Sequence, residues 1–136
     1  GQSTLMTLDE ELKFVEAYSY LFKIRYADKL FFDIDIEEKY RTWTLPALSL
    51  LPLICNSGKH NTLSRSKPFH ISVRTEGDRL VVSNPKVPKL EPEPSTGIGL
   101  ENLRNRWHLI TGSDIEIDDD GETFTVRMPL QNPTAG

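Results

Sequence analysis

The run from Leu45 to Asn61, LPALSLLPLICNSGKHN, constrains the fold most, because it begins apolar and turns abruptly polar. Its leading part reads as a core helix. Thr44 stands where a cap is needed, Pro46 lies near the first turn where a missing N–H costs nothing, and Leu48, Leu51 and Cys55 recur at helical spacing. Its trailing part carries Asn56, followed at i+3 and i+4 by Lys59 and His60. That spacing puts an amide oxygen, an ammonium and an imidazole on one side of the last turn. A neutral oxygen ligand beside two cations suits a metal-bound polyphosphate. A buried helix with a frayed polar end has the same pattern, and the stretch alone leaves both readings open.

A second stretch, Ser95 to Asn102, reads STGIGLEN, follows a proline-rich loop and opens an amphipathic helix. Gly97 and Gly99 let the backbone turn tightly and approach a ligand, and the unpaired N–H groups of a helix start attract anions. Glycines before a helix also serve simply as a turn, so this motif too carries two readings by itself.

Taken in order, the two stretches resemble a family. Helix, two strands, a long loop, GIGLEN and a closing strand pair resemble the ATP-binding domain of histidine kinases, more narrowly the LytS-type sensor kinases of the GHKL ATPase superfamily. Where that family reads QPLVENAIKHG, this chain has LPLICNSGKHN; where it reads GIGLxNxxxRL, this chain has GIGLENLRNRW. The opening TLDEELKFVEAYSYLFKIRY is similar to the family's lead-in helix, ELxxxxxYLxIxxxRF. The likeness runs from about Thr7 to Leu130.

The resemblance implies one ATP-binding domain over residues 1–136, an α/β two-layer sandwich of the Bergerat type with a mixed, mostly antiparallel sheet and helices on one face. Its parts are a lead-in helix over about 7–26, an N-box helix over about 45–60 and an ATP lid over about 84–96. By the same resemblance Asn56 holds Mg²⁺, and Lys59 and His60 neutralise phosphate charge. Backbone N–H groups of Gly97, Ile98, Gly99 and Leu100 cradle the phosphates. Asn84 is the nearest counterpart of the aspartate that accepts a hydrogen bond from the adenine amino group. Cys55 stands where the family has its N-box glutamate; read as a small buried apolar residue, it implies slow or absent phosphoryl transfer. Asn102 and Arg106 match family positions, but the residues themselves suggest no role for either.

Two functions follow. One is a kinase catalytic domain passing the ATP γ-phosphoryl to a histidine upstream. The other is a degenerate pseudokinase, a nucleotide-binding or interaction module in the same signalling role. A serine kinase of the anti-sigma type from the same superfamily fits the lead-in helix and lid less well. The implied partners are the chain's own dimerisation and acceptor-histidine segment, a second copy in the full-length homodimer, and a response regulator of the LytTR type. The implied place is the cytoplasmic side of an inner-membrane sensor, with membrane contact only through upstream segments. His60, His70 and His108 all lack the NPHFLFN-like context of an acceptor histidine, and Gly1 in place of methionine suggests a piece of something longer.

Composition agrees with this. At 136 residues one domain with a real core is expected, and a net charge of −4 offers no footprint for nucleic acid. A single cysteine excludes an internal disulfide, no apolar run is long enough to span a bilayer, and the first residues do not read as a signal peptide.

Residue by residue, Thr7 and Glu10 make a capping box, with a stripe of Leu8, Leu12, Val15, Phe22 and Tyr26 widened by Phe14, Tyr18 and Leu21. Phe31 to Ile36 alternates as a half-solvated strand, with Phe32, Ile34 and Ile36 inward. Phe69 to Thr75 and Arg79 to Ser83 form a hairpin about Glu76-Gly77-Asp78. From Asn84 to Pro94 four prolines exclude a helix or an inner strand. A helix over about Leu100 to Thr111 carries Leu100, Leu103, Trp107 and Ile110 on one face and ends at Gly112. Asp114 to Asp118 and Thr123 to Met128 pair about a solvated Asp120-Gly121 turn rather than a calcium loop.

Overall fold

Thr7 and Glu10 do close a reciprocal capping box: Glu10 N–H donates to Thr7 Oγ1 and Thr7 N–H to Glu10 Oε1, both at 3.2 Å. The computed structural model describes residues 5–26, 29–87 and 98–133. The elements run β1 (Leu5–Thr7), α1 (Leu8–Tyr26), β2 (Leu30–Asp35), β3 (Thr44–Pro46), α2 (Leu50–His60), β4 (Phe69–Glu76), β5 (Arg79–Pro85), α3 (Ile98–Thr111), β6 (Glu116–Asp119) and β7 (Thr123–Pro129). Leu8, Leu12 and Val15 of α1 are buried, and Phe14, Tyr18, Phe22 and Tyr26 follow in a run of ring contacts. Leu21 is not part of that stripe; one residue round the helix from Phe22, it is exposed, as are Tyr20 and Ile24.

The main sheet has the order β2-β4-β5-β7-β6, with β2 parallel to β4 and every other pair antiparallel. Phe69, Ile71 and Val73 of β4, Leu80 and Val82 of β5, and Val126 and Met128 of β7 meet Leu50, Leu53 and Ile54 of α2 and Leu103 and Trp107 of α3 in one core. The result is an α/β two-layer sandwich, a mixed and mostly antiparallel sheet carrying helices, as the sequence indicates. On edge strand β2, Phe32 packs against the core but Ile34 is exposed.

The start of the central helix departs from expectation. Thr44 does not cap it: Thr44 to Pro46 form β3, paired with β1 through Thr7↔Thr44 and Leu5↔Pro46. On its other side Thr44 exchanges two backbone hydrogen bonds with Gln131, each 2.9 Å. Those ladder bonds hold the segment extended, so α2 begins only at Leu50 and it is Pro52 that occupies its first turn. The buried face is Leu50, Leu53, Ile54 and Ser57, not Leu48, Leu51 and Cys55. Leu48 lies before the helix and is exposed, Leu51 is half-buried and Cys55 is exposed. The two stripes are about one residue apart round the helix, and the one carrying three large aliphatics is buried.

Asn84 and Pro85 also depart from expectation. They continue β5, an inner strand, pairing with Phe124 and Thr123 of β7. Proline is tolerated there because the pairing with β4 ends at Ser83, so on that side no ladder N–H is required of residue 85. Of the proposed lid, residues 88–96 lie outside the described residues.

Candidate functional site

Four polar residues gather where the second half of α2 faces the end of β5. Ser57 is buried, its Oγ 2.9 Å from Leu53 O and 3.1 Å from Asn84 Oδ1, with one hydroxyl proton shared between them. Asn84, 5% exposed, donates from Nδ2 to Pro85 O at 2.8 Å. Asn61 closes the end of the helix: its Nδ2 donates to Ser57 O at 3.0 Å and its Oδ1 accepts from Val87 N–H at 2.7 Å. Thr62 N–H donates to Val87 O at 2.7 Å, so the chain leaving β5 is tied to the end of α2. Asn61 was not singled out from the sequence; a buried amide at a helix end, able to satisfy a carbonyl and an amide at once, was the available signal.

Asn56 is the contrast. It is half-buried on α2, and among the described residues its carboxamide makes no hydrogen bond. Its neighbours Ser57 and Asn61 are committed to holding the fold. Cys55 beside it is exposed rather than buried, which corrects the sequence expectation. The surrounding protein still withdraws enough water to push its thiol above the ordinary range, so it is neutral at pH 7 and is no substitute for a carboxylate base.

The start of α3 is the second element that the motifs single out. The helix starts at Ile98, so Gly99 lies inside the first turn rather than in the loop before it. A Cβ at Gly99 would meet nothing within 4 Å, which leaves open space beside the turn's N–H groups. Leu100 is half-buried. Gly97 and the side chains of Lys59, His60 and Ile98 lie outside the described residues. Lys86, just past the end of β5, pairs with β6, its Nζ 2.8 Å from Asp119 Oδ2. His70 pairs with Asp33 at 2.9 Å and stacks on Phe31; His108 pairs with Asp114 at 2.9 Å. Neither is near this cluster in the hydrogen-bond network.

Arg106, left without a role by the sequence, has one here. Its guanidinium donates to the carbonyls of Ala47 and Leu48, the latter at 3.1 Å, holding α3 to the loop from which α2 starts. Trp107 Nε1–H donates to Ser49 Oγ at 3.1 Å from the same helix.

No protein-family model matches the chain. In sequence it is 31% identical to the sensor protein LytS of Streptococcus mutans over 151 aligned positions, covering 96% of this chain and 26% of that protein. It is 28% identical to the sensor histidine kinase/phosphatase LytS of Staphylococcus aureus, covering 93% of this chain and 25% of that protein. Among solved structures, the catalytic domain of histidine kinase ThkA aligns with TM-score 0.59 at 17% identity, covering 96% of this chain and 99% of that one. The Acinetobacter baumannii histidine kinase AdeS aligns with TM-score 0.60 at 17% identity, covering 97% and 70%.

The chain is a relative of the LytS sensor kinases with a histidine-kinase catalytic fold. It spans about a quarter of the length of the LytS proteins it matches. No helix among the described residues is long and apolar enough to cross a membrane.

Proposed function

We propose that the chain is the ATP-binding catalytic domain of a two-component sensor histidine kinase, passing the γ-phosphoryl of ATP to a histidine on a separate segment of the same protein. The single observation that carries this is the Asn56 carboxamide, half-buried and without a hydrogen bond among the described residues, beside a Ser57 whose hydroxyl is committed to Leu53 O and Asn84. An amide oxygen is a fitting ligand for Mg²⁺, which keeps most of its waters and needs few protein ligands. Bound there, the ion would supply charge neutralisation for the nucleotide phosphates. Lys59 and His60 follow Asn56 at one helical turn and fit the same role. The N–H groups of Gly97, Ile98, Gly99 and Leu100 are the phosphate cradle in this reading, with the open space at Gly99 in support. Asn84 is the adenine acceptor; its Oδ1 already takes the Ser57 hydroxyl and has one lone pair left for an amino group.

In the whole protein the partners are the acceptor-histidine segment, a second copy, and a LytTR-type response regulator, with the domain in the cytoplasm of a cell whose inner membrane holds the sensor. The test is thermal unfolding with Mg-ATP. At a ligand concentration about a hundred times Kd the gain is about 2.7 kcal/mol. For a chain of 136 residues that raises Tm by roughly 9 °C. Asn56→Ala should abolish the gain, and no shift at millimolar Mg-ATP would overturn the reading.

A second reading is favoured by one specific observation, the neutral, exposed Cys55 thiol where a carboxylate is expected. On that basis the domain binds nucleotide and relays a conformational signal with little phosphoryl transfer. Autophosphorylation, measured with the acceptor segment attached, should rise on Cys55→Glu. A brisk wild-type rate, unmoved by the substitution, overturns the pseudokinase reading.

A further inference from the structure

The bend between β3 and α2 is held from two sides by groups that the proposed chemistry does not use. Leu48 has φ +60, a left-handed backbone unusual for a residue with a branched side chain, and it is 42% exposed, so packing of that side chain does not explain the conformation. Its peptide groups do. On one side the Glu11 carboxylate of α1, 0% exposed, accepts Leu48 N–H through Oε2 and Leu50 N–H through Oε1, each at 3.1 Å. On the other, the Arg106 guanidinium of α3 takes the carbonyls of Ala47 and Leu48. Ser49 Oγ, 2.6 Å from Pro46 O and bonded by Trp107, closes the bend. An acid from α1 and a base from α3 thus fix the same two or three peptides, and α2 projects from them.

We infer that Glu11 and Arg106 are positioning residues for the nucleotide site, an inference that rests on the nucleotide-binding reading above: they fix the bend so that α2 presents Asn56 in one orientation. The lever is short and stiff. Asn56 lies six residues beyond Leu50, roughly 9 Å along the helix axis. A tilt of about 6° at the bend therefore displaces it by about 1 Å, more than a magnesium ligand shell tolerates. Because Glu11 belongs to the lead-in helix, any displacement of α1 reaches α2 through a buried carboxylate and α3 through Arg106. The nucleotide site is thereby made responsive to the orientation of the element that precedes it.

Arg106→Ala tests this, since Arg106 is only half-buried and lies apart from the core stripe of α3. Mg-ATP affinity of the chain is measured by calorimetry for wild type, Arg106→Ala, Arg106→Lys and, as a core-softening control, Ile54→Val. The alanine variant should weaken Kd about tenfold, with lysine between, because an ammonium cannot span two carbonyls as a guanidinium does. The control should stay within about twofold of wild type. In the nucleotide-free chain, amide exchange at Leu48 and Leu50 should quicken in Arg106→Ala while Leu80 and Val82 keep their protection. Unchanged affinity in Arg106→Ala, or equal loss in Ile54→Val, overturns the positioning role and leaves nucleotide binding standing. A wild-type chain that binds no Mg-ATP overturns both.

Discussion

Replacing Glu11 by alanine should cost this protein far more than replacing its neighbour Glu10, although both are helix-capping carboxylates. Glu10 caps its own helix at the surface through Thr7. Such a cap is worth about 1 kcal/mol. Glu11 reaches 37 residues and more along the sequence to cap α2, and its carboxylate is wholly buried. Its removal leaves the N–H groups of Leu48 and Leu50 without their partner, at roughly 1.5–2 kcal/mol each for a charge-assisted bond lost in the interior. The sum is about 3–4 kcal/mol. An unfolding entropy of about 2.1 cal/mol/K per residue converts this to a Tm roughly 10–14 °C lower. Glu11→Gln keeps one acceptor oxygen but turns an NH2 toward the second amide, so it should fall between. The assay is calorimetric unfolding of Glu10→Ala, Glu11→Gln and Glu11→Ala side by side. A Glu11→Ala loss no larger than that of Glu10→Ala would mean that the buried carboxylate contributes nothing beyond an ordinary surface cap.

Asn61→Ala should lower stability by about 2–3 kcal/mol in urea unfolding, since it strips a buried donor from Ser57 O and an acceptor from Val87 N–H. Faster amide exchange at Val87 should accompany it; an unchanged urea midpoint would show that the clamp at the root of the proline-rich loop is dispensable. The β6–β7 turn carries an acid dependence. Hydrogen bonds from the N–H groups of Thr123 and Glu122 hold the Asp120 carboxyl below its usual range, and Lys86 with the Gly121 N–H does the same for Asp119. A depressed carboxyl contributes stability above its unfolded pKa near 3.9 that is lost as pH falls through the lower folded value. The urea midpoint should therefore decline below about pH 4, and less steeply in Asp120→Asn, which keeps the acceptor oxygen but cannot titrate. Identical acid slopes in the two proteins would contradict that assignment.

Local signals were legible where the partners lie close in sequence. The Thr7–Glu10 box, the two-residue turn at Gly77-Asp78 with Gly77 at φ +59, and the Gly112 cap at φ +73 with its N–H on His108 O all form as their spacing indicates. The alternation in β4 and the stripe in α3 likewise gave the buried faces directly, because each period has one interpretation. The central helix did not. Both Leu48-Leu51-Cys55 and Leu50-Leu53-Ile54-Ser57 satisfy helical spacing, and the choice was made by ladder bonds from Gln131 and β1 that hold Thr44 to Pro46 extended.

Periodicity and motifs within single segments were enough for the class of fold, for the order of the three helices and the five main-sheet strands, and for the position of Asn56 on a helix with Lys59 and His60 one turn away. Long-range pairing alone built the β1–β3 ladder, set where α2 begins, left Cys55 exposed, placed Asn84 in an inner strand and brought Glu11 and Arg106 to the same bend. Those outcomes depend on backbone groups finding partners 37, 58 or 87 residues away. A hydrogen bond carries no trace of such a partner in the local pattern, so the chain must fold before the pairing exists to be read.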